Sequence, residues 1–269
     1  MAVHPNGNEL ACGDKQGKLY IYDLSTMTSM TAHKNTESSS TVTVESSKSS
    51  VDGFNAHEAE VLTLNYSPYF HGSSSTSSNS HSDESQENLV LLASAGRDRL
   101  IHVFDATEGN IVTNKEKERY SHLATLDSHS SSVTVVKFTL DGKSLISCGG
   151  DKTMVLHTVA DKTVTRKKSI QTPKGTINGL TLDIATNKYA VSTGQDKRVN
   201  VWNLASGKLL RSYRPSGMGG EMYKCSMDPS GTFVATCSFD KVIRVFDFFS
   251  GEIVAQVGRE VKLMKKDIY

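Results

Sequence analysis

The chain has 269 residues, a net charge of +1 at pH 7 and 37% hydrophobic residues, which suffices for one large domain or two small ones with a substantial core. The balanced charge gives no reason to expect nucleic-acid binding, and no stretch of about 18 apolar residues is present that could span a membrane. The four cysteines lie far apart, without the spacing of a disulfide scaffold or a zinc site, which indicates a reducing compartment.

A repeated segment organises the chain. Each copy has an apolar run, a small hydroxyl residue, a short turn with an Asp and a basic residue, and then alternating apolar positions. The copies are residues 8–23 (degenerate), 91–105, 144–158, 189–203 and 233–247. The turn aspartates of the last four copies are separated by 53, 45 and 44 residues. Alternation has the period of a strand, so each copy predicts two strands around a tight turn.

A further strand is predicted before each copy and another after it. The preceding strands are predicted at Val61–Tyr66, Val133–Phe138, Thr176–Leu182 and Met222–Met227, and following strands at Lys208–Tyr213 and Glu252–Val257. Four strands in a period of about 40–45 residues are typical of a β-propeller blade. The predicted blades cover residues 1–55, 56–126, 127–171, 172–213 and 219–258, and residues 259–269 form a tail.

Paired residues at fixed places in the copies carry a family resemblance. Trp202-Asn203, Phe104-Asp105, Phe246-Asp247 and Tyr22-Asp23 stand where WD repeats carry Trp-Asp, and Ala56-His57 and Ser128-His129 stand at the Gly-His position. The sequence therefore resembles WD-repeat propellers. Stretches such as ASAGRDRLIHVFDA and DPSGTFVATCSFDK resemble the second propeller of the mitogen-activated protein kinase-binding protein 1 family, whose members are large scaffolds of the JNK pathway and the spindle pole.

The resemblance implies a hydrogen-bonded network of His, Ser or Thr, Asp and Trp within each blade. No blade has the complete set, and a Phe at the Trp position has no N–H to donate. The matching residues are His57, Ser94 and Asp98 in blade 2; His129, Ser147, Asp151 and His157 in blade 3; Ser192, Asp196 and Trp202 in blade 4; and Thr236 and Asp240 in blade 5. Because this set recurs with the blade period, we expect no catalytic residues, no metal site among the histidines and no cofactor.

Three irregular stretches interrupt the period, at residues 25–52, 67–88 and 106–119. Their Ser, Asn and charged residues cannot bury a core, so the first two are predicted to be disordered. In a WD-repeat propeller all three would lie on the bottom face, which leaves the top face, with the aspartate turns, less encumbered.

The predicted top turns carry six basic residues: Arg97, Arg99, Lys152, Lys197, Arg198 and Lys241. Basic residues are ordinary in exposed turns, and the alternative interpretation is a basic ring that binds acidic or phosphorylated peptides. Thr172, followed by Pro173 in a predicted top loop, is the candidate site for a proline-directed kinase. A basic run from Lys162 to Lys168 is interpreted as the solvated outer edge of blade 3.

The predicted fold is therefore all-β, with about five four-stranded blades of an unclosed propeller. The predicted function is a non-enzymatic interaction scaffold in the cytoplasm, in a mitogen-activated protein kinase pathway, at the centrosome or spindle, or in the cytoskeleton. Its expected partners are proteins, including kinase-pathway or spindle proteins, together with further blades from missing sequence or another chain. The alternatives are a substrate receptor or phosphopeptide reader in a ubiquitin ligase, a ciliary structural protein and a propeller hydrolase.

Overall fold

The computed structural model describes residues 1–24, 51–71, 88–107, 120–160, 162–172 and 175–258. In this part of the chain the regular elements are β-strands, and the all-β fold class is confirmed. Within the same residues, no helix is long and apolar enough to cross a membrane.

Twenty of the strands form five four-stranded antiparallel sheets, one for each predicted blade. Sheet 1 contains β1 (Ala2–Val3), β2 (Glu9–Gly13), β3 (Lys18–Asp23) and β4 (Val51–Asn55). Sheet 2 contains β5 (Val61–Tyr66), β8 (Leu91–Gly96), β9 (Ile101–Asp105) and β10 (Ser121–Leu126). A two-stranded ribbon of β6 (Phe70–His71) and β7 (Asn88–Leu89) lies between β5 and β8 in the sequence.

The remaining three sheets repeat the same meander. Sheet 3 contains β11 (Val133–Phe138), β12 (Ser144–Gly149), β13 (Thr153–Ala160) and β14 (Thr163–Gln171). Sheet 4 contains β15 (Ile177–Leu182), β16 (Tyr189–Gly194), β17 (Val199–Asn203) and β18 (Leu209–Tyr213). Sheet 5 contains β19 (Met222–Met227), β20 (Phe233–Ser238), β21 (Ile243–Asp247) and β22 (Ile253–Val257).

The hydrophobic core lies between neighbouring sheets. In β12, Leu145 belongs to the cluster shared with sheet 2, and the next residue, Ile146, belongs to the cluster shared with sheet 4. Successive side chains of a strand point to opposite faces, so the central sheets are apolar on both faces. This explains the continuous apolar runs before each turn, such as the fully buried strand Leu91–Gly96.

The sheets contact one another in series, and within the described residues they form a fan that does not close into a ring. The first strands β1, β5, β11, β15 and β19 are neighbours in that order. The outer face of sheet 5 carries apolar side chains in solvent: Phe233 is 36% exposed and Ile243 is 49% exposed, whereas Val234 and Phe246 of the same strands are buried. The expectation of an unclosed propeller is thereby confirmed.

Polar side chains also join neighbouring sheets. Tyr120 donates a hydrogen bond to the buried carboxylate of Glu9, and its hydroxyl lies 3.0 Å from that of Tyr66. Lys162 Nζ lies 2.6 Å from Asp105 Oδ2. Lys162 therefore links sheet 3 to sheet 2 while its side chain stays 50% exposed. Its position in the basic run of the sequence does not show which sheet it reaches.

The predicted disordered segments 25–52 and 67–88 are too long at their ends. Val51 and Asp52 belong to β4, which pairs with β3. Ser67 is 1% exposed, and its hydroxyl oxygen accepts the backbone N–H of Leu91 at 2.9 Å. Strand pairing orders these ends although their composition resembles that of the whole segment. Residues 25–50, 72–87 and 108–119 lie outside the described residues, so the prediction for them is untested.

Candidate functional site

The turn between the second and third strands of each sheet has a common form. In sheets 2 to 5, an Asp is followed by a basic residue with a left-handed backbone: φ is 73° at Arg99, 63° at Lys152, 60° at Lys197 and 63° at Lys241. In sheet 1 the corresponding position is Gly17, with φ of 88°. We call the edge formed by these turns, with the connections from one sheet to the next, the top edge. The antiparallel strand order places the other connections at the opposite, bottom edge.

In blade 2, His57 joins two of the residues that the sequence matched. His57 Nδ1 lies 2.8 Å from Asp98 Oδ2, and Nε2 lies 2.8 Å from Ser94 Oγ. Because an ionised carboxylate can only accept, Nδ1–H donates to Asp98 and the neutral ring accepts the Ser94 hydroxyl. Burial lowers the pKa of His57 and outweighs the opposing effect of Asp98, which keeps this ring neutral at pH 7.

Blade 3 repeats this arrangement. His129 Nδ1 lies 3.0 Å from Asp151 Oδ2, and Nε2 lies 2.8 Å from Ser147 Oγ. Burial lowers the pKa of His129. Burial acts to raise the pKa of Asp151, but its hydrogen bond with Thr153 and its neighbour His129 hold that pKa below its usual range.

His157 does not join the network in which the sequence placed it. Its Nε2 lies 3.0 Å from Ser128 Oγ, and its Nδ1 lies 3.3 Å from the carbonyl oxygen of Leu145. The ring is completely buried, and burial lowers its pKa to about 4. The prediction was wrong because a His at the Trp position is smaller than an indole and finds different partners nearby.

Blades 4 and 5 lack the loop histidine, and a residue four positions after the Asp replaces it. Asn200 Nδ2 donates to Asp196 Oδ2 at 2.7 Å, and Arg244 Nη2 donates to Asp240 Oδ2 at 2.8 Å. Burial acts to raise the pKa of Asp240, but the hydrogen bonds from Arg244 and Ser238 outweigh this effect and lower the pKa to about 2. Sequence reasoning missed Asn200 and Arg244. The signal was a polar donor at that position in the blades without a loop histidine.

The other matched residues of these two blades are placed differently. Trp202 Nε1–H donates to the Ser192 hydroxyl at 2.8 Å, so this pair forms separately from Asp196 and Asn200. In blade 5, the Ser238 hydroxyl donates to Asp240 Oδ1 at 2.6 Å. Thr236 is buried two residues earlier and does not make this contact, so its assignment to the Asp240 network was wrong. Thr236 and Ser238 lie on the same face of β20, because alternate residues of a strand share a face. Ser238 is next to the turn and therefore reaches Asp240 first.

Most of the basic residues predicted for the top edge are exposed there. Arg99, Lys152, Arg198 and Lys241 are exposed, and Lys197 is half-buried. Arg97 differs, because its Nε lies 2.6 Å from Glu60 Oε2. Its charge is therefore paired with that of Glu60, although the Arg97 side chain is 63% exposed. The amino-acid sequence alone does not show that Glu60, in the connection between β4 and β5, lies beside the turn that carries Arg97.

Comparisons with known proteins agree with this repeated geometry. A family model described as WD domain, G-beta repeat matches residues 120–157 and 207–247.

The chain is a WD-repeat protein.

Its curated relatives are much longer than the chain itself. It is 38% identical over 263 residues to WD repeat-containing protein 62 from Sus scrofa, covering 96% of this chain and 14% of the relative. It is 34% identical over 230 residues to Mitogen-activated protein kinase-binding protein 1 from Homo sapiens, covering 83% of this chain and 12% of the relative. WD-repeat domains are generally non-enzymatic modules that mediate protein–protein interactions.

The His, Ser and Asp of this WD-repeat protein do not form a usable nucleophile in blades 2 and 3. Ser94 and Ser147 are completely buried, and each hydroxyl donates to its histidine in the arrangement above. A nucleophilic serine must reach a substrate carbonyl, so neither is placed for hydrolysis. One arrangement does suit a metal: ligand atoms of His57, Asp98 and His102 lie within 4.8 Å of one another.

Thr172, the candidate phosphorylation site, is closed off in this fold. Its side chain is 6% exposed, and its hydroxyl donates to the carbonyl oxygen of Lys152 at 2.7 Å. A kinase must bind the hydroxyl in an accessible segment, so the folded protein does not present this site. The sequence placed Thr172 in a top loop but did not show that its hydroxyl is bonded to the backbone of the neighbouring turn.

Proposed function

We propose that this WD-repeat protein is a non-enzymatic interaction scaffold whose top edge binds acidic or phosphorylated segments of partner proteins. The observation that carries the proposal is the basic residue at the left-handed position of the four turns in sheets 2 to 5. A side chain there costs roughly 1–2 kcal/mol relative to its usual backbone region, and Gly17 in sheet 1 avoids that cost. The presence of Lys or Arg at this position in all four turns, despite that cost, favours a role for the charge.

The electrostatics of the top edge favour an anionic ligand. Arg99, Lys152 and Lys241 are exposed, while the side chains of Asp98 and Asp151 are only 7% and 6% exposed and face their histidines. The positive groups therefore extend further into solvent than the carboxylates. Phosphate and carboxylate groups are the ligands that such basic groups bind through charge-assisted hydrogen bonds.

We further propose proteins of a mitogen-activated protein kinase pathway as the partners. The support is the similarity to a relative whose name states that it binds such a kinase. On the same family resemblance, the proposed location is the cytoplasm, at the centrosome or spindle or in the cytoskeleton. Because the chain spans only 12–14% of these relatives, their activities as whole proteins are proposals for this one.

The test compares charge reversals on the two edges. The top-edge variant carries Lys152→Glu, Arg198→Glu and Lys241→Glu, and the control carries Lys143→Glu, Lys188→Glu and Lys208→Glu in exposed bottom-edge turns. Proteins captured by proximity labelling in cells are compared with the wild type, together with binding to matched phosphorylated and unphosphorylated peptides.

Loss of kinase-pathway proteins and of phosphopeptide binding in the top-edge variant alone is the expected result. Its melting temperature should stay close to that of the wild type, since exposed charges contribute little to stability. Equal losses in both variants, or none in either, would contradict binding at the top edge. Recovery of ubiquitin-ligase adaptors in place of kinase-pathway proteins would favour the substrate-receptor function.

A further inference from the structure

Blade 2 has one more histidine than its hydrogen-bonded network needs. Where a loop histidine is absent, Asn200 or Arg244 pairs with the turn Asp from four positions later. Where the loop histidine is present, in blade 3, that position is the apolar Val155. Blade 2 has both the loop histidine, His57, and a polar residue at this position, His102. His102 is therefore not required to satisfy Asp98.

The two imidazoles and the carboxylate converge. Ligand atoms of His57, Asp98 and His102 lie within 4.8 Å of one another, and the two ring centroids are 4.5 Å apart with the rings edge to face. The cluster therefore offers two imidazole nitrogen atoms and one carboxylate oxygen atom to a single ion.

From this cluster we propose that blade 2 binds a zinc ion through His57, Asp98 and His102. Two imidazoles and one carboxylate form a ligand set that suits Zn²⁺, whereas Mg²⁺ and Ca²⁺ take oxygen ligands. Zn²⁺ binds at about 2.0–2.2 Å from such nitrogen and oxygen atoms. Since His57 Nδ1 and Asp98 Oδ2 are 2.8 Å apart, a shift of a few tenths of an ångström separates them enough to share an ion.

Each histidine has an oxygen in place for its second nitrogen. When zinc binds His57 Nδ1, the ring proton moves to Nε2, which then donates to Ser94 Oγ, 2.8 Å away. Thr125 Oγ1 lies 3.0 Å from His102 Nδ1, so it can accept the proton when Nε2 of His102 binds. Such partners orient metal-binding histidines and fix their tautomers.

The cluster also has an entry route. His122 and Thr125 on β10 are exposed beside His102, and His122 Nε2 is 3.4 Å from His102 Nδ1. Water on this side completes a four-coordinate shell. The ion would connect the loop that carries His57 to the turn and third strand of the same blade.

The experiment measures zinc binding by the full chain, without an affinity tag and after treatment with a chelator. Calorimetric titration with ZnCl₂ gives stoichiometry and affinity, and Co²⁺ substitution reports the ligand geometry by visible absorption. His102→Val removes one ligand and should fold, because Val155 occupies the same place in blade 3. Asp127→Asn is the control, since Asp127 is an exposed carboxylate between β10 and β11 and is not one of the three ligands.

The wild type should bind one zinc ion per chain and show the Co²⁺ spectrum of a four-coordinate site. His102→Val should weaken zinc binding at least about tenfold, because even the loss of an outer-shell partner costs about 10–100-fold. Asp127→Asn should bind as the wild type does. Titration with MgCl₂ or CaCl₂ should give no comparable heat. Absence of zinc binding, equal affinity in His102→Val, or loss only in Asp127→Asn would overturn the proposal.

Discussion

Replacement of Asp151 by Ala should destabilise blade 3 by about 3 kcal/mol. The carboxylate accepts the His129 ring at 3.0 Å, the backbone N–H groups of Ser130 and Thr153 at 3.0 and 3.1 Å, and the Thr153 hydroxyl at 2.7 Å. A hydrogen bond to a charged group contributes about 1.5–3 kcal/mol. The His129 side chain is completely inaccessible to water, whereas the other donors can rehydrate, so the loss is concentrated in the His129 contact.

His129→Ala should cost a similar amount, about 3 kcal/mol, because it also leaves the buried Ser147 hydroxyl without its acceptor. Since both changes remove the same contact, the double variant should lose about 1.5–2 kcal/mol less than the sum. The assay is urea unfolding of the four proteins, with thermal melts in which a loss of 3 kcal/mol lowers the midpoint by about 6–12 °C.

Asp127→Asn is the matched control, because this exposed carboxylate lies in the same connection between β10 and β11 as His129. The change should alter the free energy of unfolding by less than about 0.5 kcal/mol. Strictly additive losses would refute the shared network. So would an Asp127→Asn variant as unstable as Asp151→Ala.

Three further predictions concern single side chains. Stability should fall as the pH drops from about 6.5 towards 4, because His157 is protonated more readily in the unfolded chain than in the fold, where its pKa is about 4; His157→Phe should flatten this slope in urea titrations. Trp202→Phe should cost about 1–2 kcal/mol in the same assay, because it removes the N–H that Ser192 accepts. Lys152→Gly should raise the melting midpoint by a degree or two, because glycine relieves the left-handed backbone, while weakening peptide binding at the top edge.

Much of the fold could be predicted from the repeat itself. The period of the alternation and the turn residues placed the strands to within a residue or two: Thr176–Leu182 was predicted where β15 covers Ile177–Leu182. Composition failed at the ends of the inserted segments. Ser67 is polar, yet it is buried by pairing with Leu91, a long-range contact that composition does not encode.

Within the candidate site, the contacts that could be predicted are those between a loop histidine and the Asp of the turn. His57 and His129 follow a pattern that puts an imidazole beside a turn Asp, and they lie there. Asn200 and Arg244 were missed, because the repeat pattern shows which residue is absent but not which neighbour replaces it. Glu60 and Lys162 pair across connections and sheets, and such pairs depend on side-chain reach in three dimensions.

The serial contact of the sheets has a consequence for how the molecule unfolds. When each unit touches only its neighbours, stability is approximately a sum of unit terms and interface terms, as in a linear repeat array. Sheet 3 has two buried interfaces, whereas sheet 5 has one and carries Phe233 and Ile243 in solvent. Backbone amides of the native protein should therefore exchange with deuterium fastest in sheet 5 and slowest in sheet 3, as a gradient along the fan.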